Sequence, residues 1–389
     1  MKPLRRFLIV CATLFGVACG SSSRHATADF TEVRYAPRYA VGFGIHGVSD
    51  NAATLITVRN PWQGAEDVSQ QLLVLRDKSQ IPHDFTGTVV VAPVRRVVCM
   101  SSSHVAMFDA LGVTDRIVGV SGIDFVSNPS IRERYDRGEI HDMGYDSNLN
   151  FELLTILRPD LILLYGVTGE NTAITGKLRE LNIPYIYIGD YLEPHPLGKT
   201  EWVQLIAEVC DLRTQGEQLF EQIVKRYEAI VRGIDDHIAT MPSGVRARPQ
   251  VLLNTPYRDM WFMPPTKNYT VQLIRDAGGD TYTVAGESNS SKPIEMEQAY
   301  RLATEADVWL NVGNCNTLAE LQAQNPRFAE MPVVRKQRVY NNNRRQTPAG
   351  GSDFWESGAM RPDLVLQDLA AILHPEAFDV PLYYYKHLE

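Results

Sequence analysis

Cysteine is scarce and scattered in this sequence. Five occur in 389 residues; two, Cys11 and Cys19, fall within the first 19 residues, and the other three, Cys99, Cys210 and Cys315, stand far apart with no CxxC or Cys/His spacing. That excludes a zinc site of the ribbon or finger type and a disulfide framework, although one pairing among the three stays open in an oxidising compartment. The expectation is three small core residues. Asp, Glu and His form no dense cluster along the chain, so no bare divalent-cation site is read from it. GxSxG is missing, and Ser102, Ser103 and His104 are neighbours on one helix that cannot make a triad by spacing alone. No catalytic residue is therefore assigned. Nor is there a basic excess: 38 Lys and Arg stand against 46 Asp and Glu, a net charge of −8, which argues against a nucleic-acid partner.

What is present begins with an address. Lys2, Arg5 and Arg6 precede an apolar run, Phe7 to Val17, too short to span a bilayer as a mature helix. The run ends in Gly16-Val17-Ala18-Cys19-Gly20, which resembles a bacterial lipobox. Residues 1–18 then read as a signal peptide, Cys19 as the lipidated first residue, and 19–34 as a polar tether. Removing the leader takes away three positive charges and no negative ones, moving the net charge from −8 to −11. The expected place is outside the cytoplasm, lipid-anchored to a membrane and facing the periplasm.

Hydrophobic content of 44% and charged content of 22% are those of a globular chain with a real core, and the length suits two domains. Residues 35–94 show short apolar or alternating runs broken by Asn, Pro, Gly and Asp, a small β extension. From residue 95 strands alternate with short helices, the rhythm of parallel α/β packing. A helical period then runs through Leu219, Phe220, Ile223, Tyr227, Ile230, Val231 and Ile234, roughly Gly216 to Ile238. At 1.5 Å per residue it reaches roughly 35 Å.

One short passage occurs twice. Residues 151–165 and 294–310 each contain an acidic helix start, a short amphipathic helix, an Asp (Asp160, Asp307) and a buried-strand run. Copies about 145 residues apart exceed a solenoid period and point to two similar lobes with a cleft between them. The expected fold is α/β: two Rossmann-like lobes (95–210 and 245–389) joined by one long helix (211–240), preceded by the β extension.

These features together resemble a known family, the helical-backbone substrate-binding proteins of ABC importers for iron-siderophores, haem and cobalamin. The resemblance covers about residue 95 to the end. It rests on Arg96-Val97-Val98 leading to Ser-Ser-His, Asn150-Phe151-Glu152 with Arg158-Pro159-Asp160, the long helix, Asp276-Ala277-Gly278-Gly279, and Glu297 ahead of Ala306-Asp307-Val308-Trp309. The tail Asp353-Phe354-Trp355-Glu356 with Arg361-Pro362-Asp363 looks like a lipoprotein branch common in Bacteroides-like bacteria. The resemblance implies a monomer that presents Glu152 and Glu297, one per lobe, to arginines of a permease dimer with its ATPase; Glu295 is the rival in the second lobe.

For the ligand, cleft walls are expected in loops after strand ends. Tyr165, Tyr257, Arg258 and Trp261 are chosen there, with Asp353 and Trp355 in the late loop, because large flat ligands need aromatic faces and anionic chelates need Arg. Asn341 to Asn343 with Arg344 and Arg345 read rather as a solvated turn. His104, Tyr145, Tyr257 and Met263 are available as axial ligands for haem. The cargo expected first is a small-molecule metal chelate, an iron complex, with cobalamin or another corrinoid as the alternative; no cofactor of the protein's own is expected. The reading from another class is a chelatase or hydrolase on the same frame.

Overall fold

The computed structural model describes residues 26–49, 52–77, 81–167, 169–258, 260–285 and 291–389. The leader and Cys19 lie outside the described residues. Five strands open the fold: β1 (Glu32–Tyr35), β2 (Phe43–Gly47), β3 (Ala53–Arg59), β4 (Ser69–Leu75) and β5 (Thr88–Val91). They pair in chain order, antiparallel until β5 joins β4 in parallel. Period-2 alternation sorts their side chains. Ile56, Val58, Leu72 and Val74 pack into the main core, while Leu55, Leu73 and Leu75 close a smaller one with Phe30 and Val48.

Three buried glutamates fasten this sheet to the first lobe. Glu201 accepts from the Tyr35 hydroxyl and from the backbone N–H groups of Arg38, Tyr39 and Ala40 at 2.7–2.9 Å. Glu193 accepts from Val41, Gly42 and the Trp202 indole, and Glu208 from Thr54, Arg76 and Arg213. Hydrogen bonds to charged groups contribute about 1.5–3 kcal/mol each. The extension is thus a fixed wall of the lobe, an attachment no strand pattern reveals.

The first lobe contributes β6 (Val97–Cys99), β7 (Ile117–Val120), β8 (His141–Asp142), β9 (Leu161–Leu164) and β10 (Tyr185–Tyr187), parallel throughout in the order β10-β9-β6-β7-β8. The second contributes β11 (Gln250–Leu253), β12 (Met260–Met263), β13 (Asp280–Thr281), β14 (Lys292–Glu295), β15 (Val308–Leu310), β16 (Val339–Asn341) and β17 (Lys386–His387). Its sheet runs β13-β11-β15-β16-β17, with β17 the antiparallel edge, and β12 pairs β14 as a separate ribbon. The two-lobed α/β expectation is met. Strands covered on both faces must be apolar throughout, which is why Leu161 to Leu164 and Val308 to Leu310 read as unbroken runs.

The repeated passage performs the same task in each lobe. Asp160 accepts the Arg96 N–H at 2.9 Å and Asp307 the Gln250 N–H at 2.8 Å, each pinning the start of its lobe's first strand. Arg96 and Arg246 then donate to the carbonyls that end the two repeated helices, at Leu157 and Glu305.

A 28-residue helix, Arg213–Thr240, joins the lobes, about 42 Å long at 1.5 Å per residue. It begins one turn earlier than the periodicity predicts. Gly216 looks like a start signal, yet it lies inside the helix because a Cβ there would fall 2.5 Å from the Ala207 Cβ. Phe220, Ile223, Val224, Tyr227 and Ile234 bury its inner face. Tyr227 donates to Asp276 at 2.6 Å, and Arg226 pairs with Asp363 at 2.8 Å, fixing the second lobe to it.

Candidate functional site

In open parallel sheets the crevice for ligands forms beyond the carboxyl ends of the strands, where the strand order reverses. In the first lobe that point lies between β6 and β9, which places Ser101, His104 and Tyr165 beside it. In the second it lies between β11 and β15, beside Asn254 and Asn311. Both asparagines take the left-handed conformation, φ +64° and +60°, so each strand turns sharply at its end. The Tyr385 hydroxyl holds the Asn311 side chain at 3.0 Å.

Beside the first lobe's switch point the side chains are aromatic and form the expected floor of the crevice. Tyr165 is half-buried, 4.8 Å from the Tyr191 ring and 6.5 Å from His104. Burial, with Asp190 and Tyr191 nearby, pushes its phenol well up. Behind it Lys199 and Asp190 form a buried ion pair at 2.8 Å, and Tyr269 of the second lobe lies under the Lys199 ammonium at 5.3 Å. Tyr191 and Tyr269 were not singled out from the sequence; the one local signal is the helix cap Asn268, which fixes the Tyr269 helix. His104 is fully buried with no hydrogen-bond partner for either ring nitrogen among the described residues. Burial drives it down to about 4, so it is neutral at pH 7. No serine hydroxyl bonds the His104 ring among the described residues; Ser101 Oγ instead lies 3.1 Å from Ser103 Oγ.

The lobes meet above this floor. Thr347 donates to the Asp124 carbonyl at 2.7 Å, and any side chain at Gly351 would run into the Phe125 backbone. Glu356 reaches across to accept from the Ser127 N–H and hydroxyl and the Asn128 N–H at 2.7–3.0 Å. Burial pushes its carboxyl up to about 7 against those hydrogen bonds, which favour the charge. The folded chain therefore holds this proton more tightly than the unfolded one. The contribution is full below about pH 4.5 and is lost as pH rises through 7, amounting to about 3 kcal/mol. The stability advantage of the parent chain over Glu356→Gln should shrink by that amount between those limits in denaturant titrations; a gap independent of pH would refute it.

The residues expected at the ligand separate. Tyr165 lies just past the end of β9, against Tyr191. Tyr257, 64% exposed, carries the Arg258 guanidinium 5.2 Å over its ring. Trp355 is 46% exposed and stacks edge-on against buried Phe354, while Asp353 is buried and bound to Arg345 at 2.6 Å. Trp261 is corrected. It is wholly buried, donates to the Leu253 carbonyl at 2.8 Å and packs on Trp309 and Phe328. The segment read as a ligand loop becomes β12, whose alternation turns Trp261 and Met263 inward. Met263 and His104 have no exposed face for an axial bond, whereas Tyr145 and Tyr257 do. The asparagine run is not a solvated turn either: Asn341, Asn342 and Asn343 are buried, and Asn341 binds the Gly313 and Cys315 carbonyls at 2.8 Å. Cys99, Cys210 and Cys315 are buried and free, as expected.

Glu152 and Glu297 are exposed in the first turns of the two repeated helices, Phe151–Leu157 and Met296–Glu305, and neither makes an ion pair among the described residues. Glu297 and Glu295 line a groove of about 690 Å³ with Arg258, Tyr300 and Arg327. Arg258, expected at the ligand, is thus placed on the outer groove with the expected docking residue. No described helix is long and apolar enough to cross a membrane.

An uncharacterised lipoprotein of Methanocaldococcus jannaschii is 27% identical over 300 residues, covering 75% of this chain and 67% of the relative. A periplasmic haem-binding protein from Pseudomonas aeruginosa superposes with a TM-score of 0.58 at 18% identity, covering 76% of this chain and 98% of that one. A molybdate periplasmic binding protein from Haemophilus influenzae gives 0.56, also at 18%, covering 76% and 91%. Such identities speak for the fold alone. A family model matches residues 97–343, and on that match the chain belongs to the periplasmic binding protein family.

Proposed function

We propose that this protein is the extracytoplasmic binding lipoprotein of an ABC importer, capturing an iron complex, haem or a ferric siderophore, and presenting it to the permease. The observation that carries the reading is the aromatic pair Tyr165 and Tyr191 at the first lobe's switch point, in a fold whose two lobes each expose a helix-start carboxylate with no ion pair among the described residues. Flat chelates gain from aromatic faces, and Tyr145 and Tyr257 offer exposed phenols as iron ligands. The fold is one that carries haem in the Pseudomonas aeruginosa neighbour and molybdate in the Haemophilus influenzae one, so the cargo is argued from the aromatic side chains rather than from the fold. Lipid attachment at Cys19 belongs to the same reading, supported by the lipobox and the lipoprotein relative. The long joining helix favours small lobe closure over a wide hinge motion.

The test is an absorption titration of the purified protein with haemin, ferric siderophores and cyanocobalamin, with calorimetry for molybdate. Saturable 1:1 binding of haemin or a ferric siderophore, weakened by Tyr165→Ala, is the expected result. Binding of cyanocobalamin alone would move the cargo to the corrinoids. Molybdate alone, or none of the four, would overturn the iron reading.

A further inference from the structure

The fold brings together three residues that the sequence scatters. His237 lies in the last turn of the long joining helix, His374 at the end of the closing helix Pro362–Leu373, and Glu376 two residues further on. Their ligand atoms all lie within 4.8 Å of one another. His237 Nε2 is 3.0 Å and His374 Nδ1 3.9 Å from the same Glu376 oxygen, Oε1. Tetrahedral bonds of about 2.0–2.1 Å to a common ion would put such atoms roughly 3.3 Å apart, so small side-chain shifts close the set.

A second observation concerns the far side of His374. Its Nε2 is 3.3 Å from the Gly278 carbonyl. A carbonyl can only accept, so Nε2 carries the proton and Nδ1 keeps its lone pair facing His237 and Glu376. Metal-bound histidines are held this way, the second nitrogen donating to a backbone carbonyl or carboxylate. The room for this contact is made by Gly278, at φ +78°, where a Cβ would fall 2.5 Å from His374 Nε2. His237 is partly exposed and Glu376 more than half exposed, leaving a solvent path to the set.

We infer that His237, His374 and Glu376 form a binding site for one divalent first-row transition ion, of the Zn²⁺ class, which clamps the end of the joining helix to the closing helix of the second lobe. Two imidazole nitrogens and one carboxylate select such an ion over Ca²⁺ or Mg²⁺, which prefer all-oxygen sets. No residue of the crevice takes part, so this site is independent of the imported cargo.

The test uses the full chain without a polyhistidine tag, in detergent, after dialysis against EDTA. Co²⁺ titration should give one equivalent with visible d–d absorption, competed away by Zn²⁺, and Zn²⁺ should raise Tm by a few degrees while Mg²⁺ does not. His237→Gln and Glu376→Gln are chosen because both side chains reach solvent; His374 is left alone because it is packed. Each variant should keep the metal-free Tm and weaken Co²⁺ binding by about 100-fold or more. Failure of the parent chain to bind Co²⁺ or Zn²⁺ would overturn the site and reduce the trio to an ion-pair clamp. Binding that both variants retain would overturn it equally, by placing the metal elsewhere.

Discussion

Replacing Glu152 and Glu297 by arginine should abolish uptake through the cognate importer and leave cargo affinity unchanged. Both carboxylates are exposed, in equivalent first turns, without an ion-pair partner among the described residues. A helix-start acid also interacts with the helix dipole, which is worth about 0.3–1 kcal/mol. In the first lobe that need is already partly met, since Asn150 accepts the Leu153 N–H at 2.9 Å. A role confined to the dipole therefore predicts a slightly less stable protein with normal uptake. A docking role predicts a cost of several kcal/mol per like-charge juxtaposition at the permease, and about 2.7 kcal/mol already means a 100-fold loss.

The measurement is cargo uptake, or cargo-stimulated ATPase activity, in proteoliposomes carrying the permease, with cargo titration of each variant alongside. Glu295→Arg separates the neighbouring rival, because Glu295 shares the groove with Glu297. Normal uptake by the double variant would remove the docking role and favour a scavenger that hands its cargo to another protein.

What the sequence showed and what it hid divide along contact range. The repeated passage was legible because its signals are local: an acid at a helix start, an Asp, then a strand buried on both faces. That Asp160 and Asp307 pin equivalent strands is the geometric counterpart of that pattern. Trp261 was misread because its partner strand lies about thirty residues on, at Lys292–Glu295, and a hairpin so widely split leaves no turn signal. Asn341 to Asn343 look solvated until the carbonyls of Gly313 and Cys315 are folded against them. Glu356 belonged to a tail motif whose aromatic residues drew attention, yet it is the carboxylate that joins the lobes. His237, His374 and Glu376 are invisible to any spacing rule, since helix packing alone assembles them.

The second large effect is expected at the buried pair beneath the crevice floor. Lys199 is the only hydrogen-bond partner that Asp190 has among the described residues for its side chain, and the other carboxylate oxygen has none. Burial disfavours the Lys199 ammonium, yet Asp190 and Tyr269 together carry its pKa above the ordinary value. Lys199→Met should therefore strand a buried carboxylate and cost about 3–5 kcal/mol. Removing both charges, as Lys199→Met with Asp190→Leu, should recover most of that loss, because an apolar pair needs no desolvation of charge. Urea unfolding of the two singles and the double measures the coupling directly. The pair, in the first lobe, also sits at the seam, with Tyr269 of the second lobe against Lys199. Haemin or siderophore titration of the stable double variant then asks whether the floor needs the charges or only the packing. Unchanged affinity would make the pair structural; affinity lost despite recovered stability would mean that it orients Tyr165 and Tyr269 for the cargo.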